Sequence, residues 1–339
     1  MEYRRVGRCG LKVSEICLGT MTFGNGADRT EAGNMLSLAF DAGVNFIDNA
    51  NSYNNGMAET ILGELLGDRR HEVVLATKVF NPMGGGPNQS GMSRLHIMRA
   101  IDDSLRRLKT DYIDLYYIHH VDVQTPLDEM LRAFDDLITA GKMRYAACSN
   151  YEAWRLMEAL WISDSSQLAR FVCYQPQYSL VVRDIEEELV PVCELKGLGV
   201  VVWSPLGGGF LSGKYQPGET SRAGARSAEG WGFPIRFFAA NRDEILATLL
   251  EIAGELGRSP AQVALRWVMD QRFITSAIVG ARTTAQLRDT LRAGGWQLPA
   301  EALQRLDKVS APPPRFPRSM EDGMRDRRDA AIRMPTLPV

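Results

Sequence analysis

Three apolar runs in this 339-residue chain end on side chains that can do acid–base work: 44–47 leads into Asp48, 73–77 into Lys78 and 112–118 into His119. Five residues beyond Asp48 stands Tyr53, in a loop rich in the turn formers Asn49, Asn51, Asn54 and Gly56. Tyrosine is a poor acid near neutral pH, with a free pKa of about 10, so its use as a proton donor requires neighbours that stabilise the phenolate. Lys78 paired with Asp48 would put a cation beside Tyr53, and His119 would donate a hydrogen bond to a carbonyl oxygen and orient it. Such a set suits proton delivery to an oxygen gaining negative charge, as in reduction of an aldehyde or ketone by hydride. No side chain supplies hydride, so a nicotinamide cofactor is implied. Taken singly, Asp48 reads as a turn cap, Lys78 as a solvent exit and His119 as a partly buried ring. Their shared position, each at the same end of its own strand, argues for one mouth.

Strand ends converge when the strands run parallel, and the alternation of elements predicts this. A small hairpin in 3–14 precedes a strand at 15–20 and a helix at 30–42, with Thr30 as its N-cap and Gly43 as its stop. After the strand ending at Asp48, helices are expected at 57–66, 93–108, 127–140, from 151, and at 184–196, separated by strands at 73–78, 112–118, 143–148, 171–174 and 198–203. A last strand at 276–279 leads into a helix at 284–292. Eight strands, each followed by a helix, predict an α/β fold: a single-domain (β/α)8 TIM barrel whose site lies at the C-terminal ends of the strands. Between the seventh and eighth strands, 204–240 is a long Gly/Pro-rich loop, and 241–256 and 260–270 form two helices. The barrel is expected to span 1–311. The Pro-rich and charged tail 312–339 is expected to pack on it or to be partly disordered.

Composition narrows the function. Hydrophobic residues make up 45% and charged residues 24%, with a net charge of -2, an ordinary globular balance that asks for neither nucleic acid nor an anionic membrane. No apolar run approaches the roughly 20 residues of a spanning helix, and the basic first ten residues lack a following apolar region, so a cytoplasmic location is expected. The five scattered cysteines include no CxxC pair and read as reduced, mostly buried thiols; the four histidines lack ligand spacing, so no metal is expected.

The motifs together resemble the aldo-keto reductase family. They are Leu18-Gly19-Thr20-Met21, Phe46-Ile47-Asp48-Asn49-Ala50, Ala76-Thr77-Lys78, the run 112–119, Cys148-Ser149-Asn150 and Gly280-Ala281-Arg282-Thr283. The resemblance covers nearly the whole chain and makes Tyr53 the general acid, tuned by Asp48 and Lys78, with His119 positioning substrate. It also implies a cofactor site without a GxGxxG fingerprint, and no such fingerprint follows a strand here. Gly19, Thr20, Met21 and Asp48 belong to that site. Ser149, Asn150 and Gln175 resemble the donors to the nicotinamide carboxamide, and Trp203 the aromatic that stacks on the ring. Ser204, Leu206, Gly208, Leu211 and Lys214 look like the loop over the pyrophosphate. At the last helix, free amides and the dipole favour phosphate. There Gly280, Arg282, Thr283 and Gln286 are expected at the adenosine 2′-phosphate, with Asp289 and Thr290 near adenine. Arg282, as a bidentate phosphate partner, favours NADPH over NADH.

This chain departs from many family members in having Asn49 for threonine, Gly280 for lysine, Gln286 for arginine and Thr290 for asparagine, which leaves Arg282 more of the phosphate contact. Met21, Phe23, Phe80, His120 and Trp231 or Phe233 are expected to line an apolar substrate mouth for a small-molecule carbonyl compound. The family also includes potassium-channel β subunits, which bind NADPH, so a cofactor-binding regulator with little turnover is the alternative; reduction of generic aldehydes separates the two. A lyase using Lys78 as a Schiff base would instead be trapped by borohydride, but it leaves Arg282 and Trp203 without a role.

Overall fold

A computed structural model describes residues 1–219 and 238–320. Strands β1 (Tyr3–Arg5) and β2 (Lys12–Ser14) form the antiparallel hairpin. Eight parallel strands then close a barrel: β3 (Ile16–Gly19), β4 (Phe46–Asp48), β5 (Val74–Val79), β6 (Ile113–Ile118), β7 (Met143–Ser149), β8 (Phe171–Gln175), β9 (Gly199–Val202) and β10 (Ile274–Val279), with β10 pairing both β9 and β3. The (β/α)8 architecture is the one expected from the alternation of elements.

Alternation along each strand decides what the barrel encloses, because successive side chains point to opposite faces. Phe46, Val74, Ala76, Leu115, Tyr117, Ala147, Cys173, Val201 and Ile278 pack together in the lumen, whereas Ile47, Leu75, Tyr116, Ile118 and Val202 join the layer beneath the helices. The hairpin closes the lower end, where Val6 and Val13 pack into the same interior cluster. One step of two residues above the apolar lumen, the inward positions are Gly19, Asp48, Lys78, His119, Ser149, Gln175, Trp203 and Gly280. The register staggers these positions up the barrel: Asp48 is level with both Gly19 and Ala76, Lys78 with Tyr117, and Ser149 with Gln175.

The helices form for ordinary reasons. In α4 (Leu127–Thr139), Leu127, Met130, Leu131, Phe134 and Leu137 make one buried stripe, and Asp128 and Glu129 sit at the positive end of the dipole. Helix α3 (Arg94–Leu108) starts at Ser93, whose hydroxyl accepts from the His96 amide, and α8 (Pro260–Asp270) starts at Ser259 in the same way. Some elements differ from expectation, as at β10, which starts at Ile274 rather than at 276. Helix α1 (Arg29–Asp41) is capped by Asp28, which accepts from the Glu31 amide, rather than by Thr30. The expected 184–196 helix divides into a 3₁₀ turn at Asp184–Glu186 and α6 (Leu189–Lys196), with Pro191 tolerated in the first turn of the latter. The sequence reading missed α10 (Ala300–Ser310), although Ala302, Leu303, Leu306 and Val309 recur at helical spacing on its inner face. It packs on α7 (Arg242–Leu256) and accepts a hydrogen bond from Trp267 Nε1 at Asp307 Oδ1, 2.9 Å.

All five cysteines are free thiols, and all but Cys9 are buried. Among the described residues, no helix is long and apolar enough to cross a membrane, and no group of three or more metal-ligating side chains is found. Of the tail, Arg315 pairs with Asp184 at 2.6 Å.

Helix α2 (Met57–Leu66) lies so close to the end of α3 that a Cβ at Gly63 would overlap the Arg107 carbonyl. Gly63→Ala should therefore destabilise the protein by about 1–3 kcal/mol, measured by urea unfolding; an unchanged or higher midpoint would contradict this close approach.

Candidate active site

Asp48, at the last residue of β4, is almost fully buried, and so is Lys78 one strand over. Asp48 pairs in register with Ala76, so Lys78 sits two residues higher on the same inward face, within reach of a long side chain bending back. Its ammonium nitrogen lies 2.6 Å from Asp48 Oδ2, 2.8 Å from the Asn49 carbonyl and 3.3 Å from the Tyr53 hydroxyl. All three donors of the ammonium therefore have an acceptor. Burial by itself would lower the lysine, yet Asp48 and then Tyr53 leave it raised above its ordinary value. The outward neighbour Thr77 donates to Glu59 Oε1 at 2.6 Å, and Arg107 Nε donates to Glu59 Oε2 at 2.7 Å, so a second buried carboxylate ties β5 to α2 and α3.

Tyr53 opens a 3₁₀ turn (Tyr53–Gly56) in which Asn54 and Asn55 take left-handed backbone angles, φ 51° and 52°, the conformation asparagine tolerates best after glycine. Asn54 Nδ2 donates to the carbonyls of Met21 and Phe23, at 3.1 and 2.6 Å, fastening this loop to the one after β3. Burial raises the Tyr53 phenol above its ordinary value, while Lys78 pulls it down. The sequence reading anticipated the lysine's effect and omitted the larger effect of burial.

His119 follows β6, with its amide on the Val79 carbonyl at 3.0 Å. Its ring meets Tyr53 edge-on, centroids 6.0 Å apart, and stacks on His120 at 4.6 Å; Phe80 lies edge-on to His120. Burial, then Lys78 and His120, holds His119 well below the usual histidine range, so the ring is neutral. Asn81 Nδ2 lies 3.3 Å from His119 Nδ1. The sequence gave no signal for Asn81, which lies past the strand end in a loop that begins Asn81-Pro82.

The rest of the inward layer is bonded within itself. Gln175 Nε2 donates to Asp48 Oδ1 at 2.9 Å, Ser149 Oγ donates to the Gln175 carbonyl at 2.7 Å, and Thr20 Oγ1 donates to the Asp48 carbonyl at 2.9 Å. Asn150 Nδ2 donates to the His119 carbonyl and Asn150 Oδ1 accepts from Trp203 Nε1, both at 3.0 Å. Half-buried Trp203 thus has its indole fixed at the mouth. Beyond it, Ser204 Oγ accepts from the Gly208 amide at 2.8 Å, and a 3₁₀ segment, Gly207–Ser212, follows. Gly208 and Gly209 have φ of 63° and 100°, with no atom of the described residues within 4 Å of the place a Cβ would take. This bare backbone is open to close approach by a phosphate, with exposed Lys214 just beyond. Leu206 is half-buried; Leu211 is wholly buried and packs in the core.

At α9 (Thr284–Leu291) the amides are not all outward-facing donors as expected. The Arg282 amide donates to Gln286 Oε1 at 2.9 Å, and the Gln286 amide to Thr283 Oγ1 at 3.3 Å. Glu31 Oε1 of α1 accepts from the Thr284 amide, a bond that holds the Glu31 carboxyl below its ordinary value. These bonds occupy the amides of Arg282, Thr284 and Gln286, and the stem of the Arg282 side chain crosses the turn at Gly26. Asp289 accepts from Ser259 and Gln262, and the buried Thr290 hydroxyl bonds its own helix. Phe23 is wholly buried in the core and does not reach the mouth. Met21, Phe80 and His120 are half-buried around it, and Gly280 is exposed at its rim. Trp231 and Phe233 lie outside the described residues.

The chain belongs to the aldo/keto reductase family, whose sequence profile matches residues 15–311, and that membership supports an oxidoreductase activity. It is similar to an uncharacterized oxidoreductase, YrpG, of Bacillus subtilis (strain 168), 40% identical over 321 residues that cover 91% of this chain and 96% of the relative. Probable voltage-gated potassium channel β subunits of Oryza sativa subsp. japonica and Arabidopsis thaliana are each 38% identical. They cover 92% and 86% of this chain, and 96% and 91% of their own lengths.

Removing one member of a buried pair strands the other charge. Asp48→Asn and Lys78→Met should each cost about 3–5 kcal/mol, and the double variant clearly less than the sum. Additive losses in thermal or urea unfolding would show that the two charges are not coupled.

Proposed function

We propose that this protein reduces an aldehyde or ketone to the alcohol with a nicotinamide dinucleotide, NADPH in preference to NADH, and that Tyr53 delivers the proton. The observation that carries this reading is the Lys78 ammonium held between Asp48 and the Tyr53 hydroxyl at the bottom of a mouth with neutral His119 on its wall. The bound nicotinamide supplies hydride to the carbonyl carbon. Tyr53 gives its proton to the carbonyl oxygen, and Lys78 stabilises the phenolate left behind. Asp48 keeps Lys78 charged in a site where burial would discharge it. Neutral His119 donates a hydrogen bond to the same oxygen and sets its direction. Trp203 offers a fixed aromatic face for the nicotinamide, the Gly208–Gly209 backbone and Lys214 suit the pyrophosphate, and Arg282 suits the 2′-phosphate. Met21, Phe80 and His120 would line the substrate side, a wall suited to an apolar carbonyl compound.

The potassium-channel relatives favour a second reading, an NADPH-binding regulatory protein with little turnover. The experiment that separates the two follows NADPH oxidation over a panel of aldehydes and ketones. With Tyr53→Phe, kcat should fall by about 10²–10⁴-fold while NADPH still binds; near-normal turnover would refute the tyrosine's role, and binding without turnover by the unaltered protein would favour the regulator.

For cofactor choice, Arg282→Ala should raise the Kd for NADPH by about 10–100-fold and change that for NADH little, measured by protein fluorescence. Equal losses for both would remove the case for 2′-phosphate recognition.

A further inference from the structure

Asn81 stands two residues past the end of β5, and its side-chain nitrogen reaches two parts of the site at once. It lies 3.2 Å from Ser52 Oγ, next to Tyr53, and 3.3 Å from His119 Nδ1. An amide nitrogen carries two hydrogens and accepts nothing, so one can go to each partner. A donor at Nδ1 requires that atom to be an acceptor, which leaves the ring proton on Nε2. Everything else about His119 is already fixed. Its amide is on the Val79 carbonyl, its own carbonyl is held by Asn150 Nδ2, and its ring is stacked on His120 with an interplanar angle of 10°. These contacts set where the ring is; among the described residues, the Asn81 contact is the one that bears on which nitrogen carries hydrogen.

We propose that Asn81 is a positioning residue that holds His119 as the Nε2–H tautomer and ties it to the Tyr53 loop, so that one ring edge always presents a donor to the substrate oxygen. This rests on the reductase reading given above. The charged and titratable groups facing His119 are Lys78 from β5, Tyr53 from the loop after β4, and His120 beside it. None supplies a negative charge to favour the imidazolium, and the neutral amide of Asn81 keeps it so. A carboxylate at position 81 would reverse both effects, because it would accept from Nδ1–H and stabilise the charged ring.

The test is ¹⁵N spectroscopy of imidazole-labelled protein without cofactor, followed through pH, with the four histidines distinguished by His119→Gln. The unaltered protein is expected to show His119 neutral and protonated on Nε2 from pH 6 to 8. In Asn81→Asp the midpoint should rise by about 1–3 pH units and the neutral form should shift to Nδ1–H. In the same variant kcat/KM should fall by about 10²-fold, with a new pH dependence at the raised midpoint and unchanged NADPH affinity. Nδ1–H in the unaltered protein would overturn the assignment whether or not any variant folds, as would an Asn81→Asp protein whose His119 titration and pH profile do not move. The spectra require no turnover: a protein with the Nε2–H ring that reduces no carbonyl compound would refute the reductase reading alone.

Discussion

A lysine that is 0% exposed and a carboxylate that is 2% exposed lie 2.6 Å apart at the top of the barrel lumen, and the arrangement of the mouth depends on that pair. Isolated, either charge would be driven toward neutrality by burial. Joined to the carboxylate, the lysine is held above its ordinary value and keeps two donors for the Asn49 carbonyl and the Tyr53 hydroxyl. The other carboxylate oxygen is held by Gln175, whose backbone carbonyl is in turn held by Ser149. The pair thereby links β4, β5, β7, β8 and the Tyr53 loop.

The barrel makes this arrangement possible through the period of the strand. Each strand gives an apolar residue to the lumen, then two positions later one residue to the mouth. Cys17 is followed by Gly19, Phe46 by Asp48, Ala76 by Lys78, Tyr117 by His119, Ala147 by Ser149, Cys173 by Gln175, Val201 by Trp203 and Ile278 by Gly280. Gly19 on β3 and Gly280 just past β10 are the small residues of this set, on the side where Arg282 and the glycine segment after β9 stand. The polar residues cluster on β4 to β8. Strand position alone thus separates a small-residue side of the mouth from a polar one.

Burial and charge act against each other in this layer. Burial raises the tyrosine, lowers the histidine and would lower the lysine; Asp48 and Lys78 counter it for the lysine and the tyrosine, and nothing counters it for His119. The result is a lysine held above its ordinary value, a histidine held below its own, and a phenol that burial raises and Lys78 only partly brings down. The same balance appears at α9, where Glu31 occupies a first-turn amide that an external anion would otherwise meet.

The sequence by itself determined the elements and the identity of the mouth-facing layer, because strand period and parallel order are local consequences of apolar alternation and of helices between strands. It carried Asp48, Lys78 and His119 for the same reason, since each sits where an apolar run stops, and Tyr53 as the phenol in the first of the loops that follow. What tertiary structure decided was partnership. That Gln175 bonds Asp48, that Asn81 meets His119, that Glu31 caps α9 and that Phe23 and Leu211 face the core all depend on register and loop path across residues up to 253 positions apart. No periodicity within one segment encodes such meetings. Helix α10 shows the same division, since its apolar spacing is local while its place is fixed by packing on α7 and by the bond from Trp267.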